Sequence, residues 1–356
     1  MKNYNQNPKN NLKKIMINKL TPGMKLARDV DYSYGGKLLL AGTILDKHKI
    51  NRLKKNNYKY IFIFDEGKER IEENIEKIEK VEADYQEKRK HIKSVFKRVK
   101  KDKEISYKEI QNLSEEVTNI GNDKDIINLL TKVRKVDQYT YSHLLNVGML
   151  AYMFGNWLGL KDEKRLELTQ AGLLHDLGKA YISDDILNKP GELTKSECEE
   201  MKKHTIYGYK MVRKVDSISE TACRGILTHH ERYNGSGYPL KIKGKKIPFY
   251  GRVLGIVDTF DAMTADRVYK KGKSPFKAIK LFQEETVGSF DIRLAKIFLE
   301  KIPNYFKDEK VILNNGKKAK IVFINPRHPN KPIIEIDDSY IDLYKNDDLD
   351  IQKLVN

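Results

Sequence analysis

The stretch AGLLHDLGKA, residues 171–180, sets a histidine and an aspartate side by side behind an apolar run. Four other stretches carry the same residue types. His143 lies in DQYTYSHLLNV (137–147), His204 in MKKHTIYGY (201–209), His229 and His230 in ILTHHERYNGSGYP (226–239), and Asp258 in GRVLGIVDTFDAMTADRVYK (251–270). Five of the chain's eight histidines fall between His143 and His230.

Taken singly, each has an ordinary explanation. A histidine on an apolar helix is usually a hydrogen-bonded core residue, a His-His pair is often a surface feature, and an aspartate after GIV can be a helix cap. Together, five imidazoles and two carboxylates flanked by helix-forming apolar stretches require a common reason. Neutral imidazoles gathered with carboxylates suit Fe, Mn, Zn or a similar divalent ion. An adjacent His-Asp pair lets one residue bind a metal while the next bridges two. Ions roughly 3.5–4 Å apart can clamp the attacking and leaving oxygens of a phosphoryl transfer. Gly235 and Gly237 read as backbone freedom in a tight loop beside that metal.

The His…His-Asp…Asp set resembles the HD superfamily of metal-dependent phosphohydrolases. HHERYNGSGYP, together with HDLGK and DTFDAMTADRVY, resembles its HD-GYP subgroup, known for hydrolysis of cyclic di-GMP. The resemblance covers residues 125–306 and implies a mainly α fold, an HD-type helical bundle. It implies that His143, His175, Asp176 and Asp258 hold one metal. Asp176 would bridge to a second, held also by His204, His229 and His230. Lys179 would meet a phosphate oxygen, making it and Asp176 the catalytic pair, while Tyr238, Arg267 and Lys270 would contact phosphate or guanine. Cations at the mouth suit a dianionic ring, and arginine offers phosphate a bidentate fork. For Lys270, plain surface charge within YKKGKSPFK is an equal alternative.

The implied cofactors are two divalent ions, Fe or Mn. Some family members use a glutamate four residues before the first histidine to hold a third metal, and here that position is Tyr139. Ile292, where relatives often carry proline, touches nothing catalytic. The implied reaction opens cyclic di-GMP to linear pGpG, with a second cut to GMP left open. Two alternatives remain: hydrolysis of another cyclic dinucleotide such as cyclic GMP-AMP, and a catalytically silent cyclic di-GMP receptor. A silent receptor is expected to have lost ligands or the Gly-Tyr-Pro loop, and all are present.

The rest of the chain frames this segment. With 356 residues, 39% hydrophobic and 33% charged, it can build one sizeable core plus accessory modules. A net charge of +18 favours anionic partners. Cys198 and Cys223 form no CxxC pair and no signal peptide is evident, which predicts a reducing, cytoplasmic setting. Leu144–Leu160 carries no charge but is shorter than the ~20 residues a membrane span requires, so a buried helix is expected and no membrane span.

Residues 1–14 read as a disordered basic tail. Residues 15–65 read as a small, mostly β (or α/β) module whose INKLTPGMKLARDV and GTIL stretches are similar to a domain often found before HD-GYP domains. Residues 66–124 read as a helical linker. Within it, Lys88–Lys103 holds nine Lys or Arg, expected to be a solvated face on a helix that docks through Ile92, Val95, Phe96 and Val99. Every candidate ligand lies beyond Lys124, which predicts a separable catalytic module at 125–306. Residues 307–356 read as a short β tail with a hairpin at Asn315-Gly316. No nucleic-acid partner is expected, because the basic helix lacks aromatic interleaving. The reading leaves room for a homodimer and for a protein partner at the N-terminal module.

Overall fold

The computed structural model describes residues 12–32, 36–56, 58–64, 66–121, 130, 139–265, 273–337 and 339–355; the side chains of 66–78, 120, 121, 139, 286 and 287 lie outside that description. The chain divides into two compact units, Met1–Lys80 and Val81–Asn356.

The first unit contains β1 (Leu12–Met16), β2 (Val30–Asp31), β3 (Lys37–Leu39), α1 (Lys47–Lys55) and β4 (Tyr60–Phe64). β1 pairs antiparallel with β4 from Leu12↔Phe64 to Met16↔Tyr60, and β2 pairs with β3. Leu12, Lys13 and Lys14, which the sequence assigns to a disordered tail, are therefore strand residues. Main-chain pairing needs no apolar side chain, so composition misses it. Asp46 caps α1 by accepting from the Lys49 N–H at 2.7 Å. Leu26, Leu45, Leu53, Ile61 and Ile63 form this unit's core.

Helix α2 (Glu66–Val99) contains the unit boundary, and α3 (Tyr107–Gly121) follows a non-helical break. In the second unit, Ile92, Val95, Phe96 and Val99 of α2 are buried, as are Ile110, Leu113 and Val117 of α3. They join the same cluster as the helices beyond residue 139. The second half of the stretch read as a linker thus contributes core.

The central pair is α4 (Tyr139–Trp157) and α5 (Asp162–Leu174). The charge-free run in α4 is buried, including Leu144, Leu145, Val147, Met149, Leu150 and Phe154. The two helices touch backbone to backbone at Gly148 and Gly172. A Cβ on Gly172 would stand 2.9 Å from the Gly148 Cα and 3.0 Å from the Val147 carbonyl. That approach brings the start of α4 and the end of α5 together.

Next come α6 (Asp184–Leu187), α7 (Lys195–Lys202), α8 (His204–Val212), α9 (Glu220–Thr228), α10 (Phe249–Thr264), α11 (Pro275–Ser289) and α12 (Ile292–Lys301). Thr194 and Glu197 form the expected capping box at α7, and Ser274 caps α11 with Pro275 in its first turn. The C-terminal segment is more than a tail. Strands β5 (Lys310–Leu313), β6 (Lys318–Phe323), β7 (Ile333–Ile336), β8 (Ser339–Asp342) and β9 (Ile351–Leu354) form one antiparallel sheet in the order β8-β7-β6-β5-β9. Asn315-Gly316 turns β5 into β6 as predicted, and Val311, Leu313, Ile321 and Ile334 bury into the helical core. The second unit is mainly α with this sheet appended. No described helix is long and apolar enough to cross a membrane.

Fully burying one large aliphatic side chain stabilises by about 1.5–3 kcal/mol, and whole domains are stable by only about 5–15 kcal/mol. A chain beginning at Val81 should therefore melt cooperatively. One beginning near Lys124, which loses eight buried hydrophobic residues of α2 and α3, Tyr85 among them, should melt at least about 10 °C lower or fail to fold. Scanning fluorimetry of the two truncations checks this; equal melting would show that α2 and α3 are dispensable.

Candidate metal centre

Five of the seven candidate ligands come from helix ends and adjoining turns, while His143 lies within α4 and Asp258 within α10. His175 closes α5, His204 opens α8, and His229 closes α9. Each of these imidazoles donates its Nδ1 proton to the backbone carbonyl three residues earlier: Gly172, Met201 and Ile226, all at 2.7 Å. A carbonyl can only accept, so in each neutral ring the lone pair sits on Nε2. Helix geometry thus selects the metal-binding tautomer. His143, from α4, donates Nδ1 to Asp261 Oδ2 at 2.8 Å, which likewise places the lone pair on Nε2, facing the site.

These atoms form two groups, Asp176 with His204, His229 and His230, and His143 with His175 and Asp258; ligand atoms within each lie within 4.8 Å of one another. Asp176 faces both groups. Its Oδ2 lies 3.5 Å from His143 Nε2 and 3.4 Å from His175 Nε2, and its Oδ1 lies 3.2 Å from His204 Nε2 and 3.9 Å from His229 Nε2. Asp258 also divides its oxygens: Oδ1 is 3.1 Å from His143 Nε2, and Oδ2 is 3.8 Å from His230 Nδ1.

The donor set fits divalent ions. Asp176 Oδ1, His204 Nε2 and His229 Nε2 are buried and make no hydrogen bond. Buried polar atoms are nearly always satisfied, so convergent orphans of this donor type mark a place for a cation. Charge agrees. Burial, then the neighbouring imidazoles of His175 and His204, push His229 down to about 3. Burial and His229 likewise hold His230 well below the ordinary imidazole range. Burial alone would raise Asp176, but the Lys179 ammonium and His175 outweigh it and hold the carboxyl well below the usual range. Asp258 is depressed similarly, chiefly by His143 and His230 working against burial. Near neutral pH His229 and His230 are thus neutral and Asp176 and Asp258 ionised, the states that ligation needs.

The centre lies on a cavity of about 600 Å³ whose lining includes Lys179, Arg232, Tyr238, Lys273 and Glu285. Lys179 pairs with Asp176 Oδ2 at the cavity floor. Tyr238 stacks on His230 with ring centroids 4.7 Å apart. Arg267 and Lys270 lie outside the described residues, as does the side chain of Tyr139. The two loop glycines have different reasons: Gly235 sits at φ +87°, while a Cβ on Gly237 would meet the Glu231 Cα and the Arg232 nitrogen at 2.4 Å. Glu231 pins this loop by accepting from the Leu240 N–H at 2.6 Å, and burial pushes its carboxyl up.

Sequence reasoning missed Asp261, Asn146 and Arg232. Asp261 follows Asp258 by three residues, a spacing that puts both on one helix face, and that signal was available in DTFDAM. Arg232 stands inside the quoted HHERYNGSGYP. Asn146, inside an apolar helix, becomes meaningful only once Asp261 is placed beside it.

Histidines and aspartates that converge in this way form a candidate site for divalent ions. The HD domain family profile matches residues 124–294 of this chain. The chain is 33% identical over 207 residues to a cyclic di-GMP phosphodiesterase of Pseudomonas aeruginosa, covering 58% of this chain and 50% of that protein. It is 37% identical over 202 residues to a cyclic di-GMP phosphodiesterase of Thermotoga maritima, covering 54% of each. A 3'3'-cGAMP-specific phosphodiesterase of Vibrio cholerae is 32% identical over 176 residues, 49% of this chain and 34% of that protein. The chain spans about half the length, or less, of these curated relatives. An HDG"Y"P protein from Bdellovibrio bacteriovorus shares the fold at a TM-score of 0.51 and 18% identity, covering 80% of this chain and 97% of that one.

The depressed imidazoles set a pH dependence for the metal-free protein. Folded His229 stays neutral down to about 3, whereas the unfolded chain takes up the proton near 6.5, so acid favours unfolding. Stability present above pH 6.5 should fall as pH drops towards 3, by up to about 1.4 kcal/mol per pH unit for each such imidazole. Asp176 and Asp258 add the same sign below the ordinary carboxylate range. Melting temperatures of chelator-treated protein between pH 7 and 4 should decline, and His229→Gln should flatten the slope. A level profile for the unsubstituted protein would contradict this.

Proposed function

We propose that this protein hydrolyses cyclic di-GMP at a two-ion centre, opening the ring to linear pGpG, in the bacterial cytoplasm. His143, His175, Asp176 and Asp258 hold one ion, and Asp176 shares the second with His204, His229 and His230. Iron or manganese suits this imidazole-carboxylate set. The supporting observation is the pair of donor groups divided across the two oxygens of Asp176, at the floor of a cavity lined by cations. The names of the curated relatives support the substrate.

When bound, two divalent ions acidify water and offset charge that grows on the phosphate oxygens. The protein supplies the rest. Asp176 and Asp258 stay ionised and balance the positive charge gathered at the site. The Lys179 ammonium at the cavity floor meets a phosphate oxygen, and Arg267 and Lys270 hold phosphate or guanine at the mouth. Tyr238, packed on His230, orients the ring while the loop pinned by Glu231 shields one side. We place the catalytic module at 125–306, carried by α2 and α3, with 15–65 and 307–356 as flanking modules. Tyr139, in place of the glutamate that would hold a third ion, limits the count to two. A second reading, hydrolysis of a cyclic GMP-AMP, is favoured by the Vibrio cholerae relative of that specificity.

Asp176→Ala should strip both ions and abolish hydrolysis with helix content intact. Metal analysis, circular dichroism and chromatography of the products from cyclic di-GMP and cyclic GMP-AMP check this; half-retained activity would sink the two-ion reading. Lys179→Ala should slow turnover about 10–100-fold with metal content unchanged, as expected for a group that stabilises developing charge. Loss of metal in that variant would move Lys179 into the metal-holding set.

A further inference from the structure

Metal ligand His143 stands at one end of a buried hydrogen-bond chain whose other end lies outside the HD domain match. Its Nδ1 meets Asp261 Oδ2 at 2.8 Å. Asp261 Oδ1 accepts from Asn146 Nδ2 at 2.9 Å. Asn146 Oδ1 accepts from the Tyr85 hydroxyl at 2.7 Å. Tyr85, His143, Asn146 and Asp261 are all buried, with Tyr85 1% and Asp261 0% exposed. Tyr85 belongs to α2 and precedes the HD domain match at 124–294 by almost forty residues.

We infer that Tyr85 is a positioning residue for the metal centre, so that α2, outside the HD domain match, helps to set how tightly His143 binds its ion. This rests on the reading of His143 as a ligand. The physical basis is the direction of each bond. An asparagine amide presents a donor at one end and an acceptor at the other, and nothing in its shape chooses between the two orientations. Here both neighbours choose the same one. The Tyr85 hydroxyl donates to Oδ1, and the Asp261 carboxylate, which can only accept when ionised, takes Nδ2. With one oxygen of Asp261 satisfied by Asn146, the other is left to accept the His143 Nδ1 proton. That fixes the ring's rotation, places the lone pair on Nε2, and increases its basicity towards a cation, as carboxylates behind metal-binding histidines do. His143 differs here from His175, His204 and His229, whose Nδ1 atoms are held by local backbone carbonyls. Its orientation alone among these four depends on a partner from a distant helix, and that partner is held through Tyr85.

Removing the Tyr85 hydroxyl leaves Asn146 Oδ1 without this donor in a site closed to water. The amide then keeps its bond to Asp261 but loses the contact that holds its other end, so it can rock and carry the Asp261 carboxylate with it. The predicted consequence is a looser His143 and weaker metal binding, with the fold retained because the ring of Tyr85 still fills its place.

The test uses the full-length protein and manganese(II) alone, titrated in competition with a fluorescent chelator, so that no activity is needed. Removing a group behind a metal ligand commonly costs 10–100-fold in affinity. Asp261→Asn should weaken the binding of one manganese ion by about that much, and Tyr85→Phe, one link further out, by about 3–10-fold. Two-bond proton–nitrogen spectra of histidine-labelled apoprotein give an independent readout. His143 should be protonated at Nδ1 in the unsubstituted protein and become a mixture of tautomers in Tyr85→Phe. Unchanged manganese affinity in folded Tyr85→Phe overturns the inference. Were that variant not to fold, a His143 protonated at Nε2 in the unsubstituted apoprotein would overturn it equally. His143→Ala separates the two levels. If it binds both ions as the unsubstituted protein does, His143 is no ligand and both readings fall; if it loses one while Tyr85→Phe loses none, only the role of Tyr85 falls.

Discussion

Asp176 is a carboxylate almost wholly removed from water, with imidazole nitrogens between 3.2 and 3.9 Å from its two oxygens. Burying an ionised group costs several kcal/mol unless it is paired, so its surroundings must supply positive charge or hydrogen-bond donors. The Lys179 ammonium supplies part of that charge from one turn further along the chain. The imidazoles around it direct ring nitrogens towards a common point. Divalent cations complete the arrangement electrostatically, and much of the scaffold serves to hold these donors with their lone pairs pointing inwards.

The scaffold does this largely with helix ends. A terminal carbonyl that lacks an intrahelical partner can accept from an imidazole Nδ1. Three of the ligands use such a bond, so the same interaction that finishes a helix also orients a metal donor. Local sequence is enough to specify it, since each bond spans three residues. Bringing the helix ends together is a separate task. It depends on close crossing of α4 and α5 at Gly148 and Gly172, where any larger residue would push His143 away from His175.

The cavity beside the centre matches the charge of a cyclic dinucleotide more clearly than its bases. Lys179, Arg232 and Lys273 line the cavity with positive charge, and Tyr238 offers a flat apolar surface as well as a hydroxyl. The relatives include enzymes named for cyclic di-GMP and for 3'3'-cGAMP with similar identities to this chain. Glu285, a carboxylate in the cavity wall, is chemically suited to a purine edge that presents donors.

By itself the sequence determined the donor set, because only a few residue types bind divalent ions and their clustering has no ordinary structural cause. Features specified within a few residues were legible as well: the Thr194–Glu197 capping box, Ser274 before Pro275, the Asn315-Gly316 turn and the buried, charge-free helix from His143 onward. Tertiary structure decided what depends on distant partners. Lys13 and Lys14 are strand residues only because Tyr60–Phe64 offers main-chain partners. The apolar stripe of α2 announces docking but not its destination, which proved to be the core of the second unit. Strands β8 and β9 become evident only through pairing with β7 and β5. Asn146 is unremarkable in sequence, and the spacing of Asp261 from Asp258 shows a shared helix face but not a partner; a hydrogen bond across 118 residues to His143 gives Asp261 its meaning. Residue chemistry is carried by the chain locally, whereas burial and hydrogen-bond partnership are properties of which segments meet.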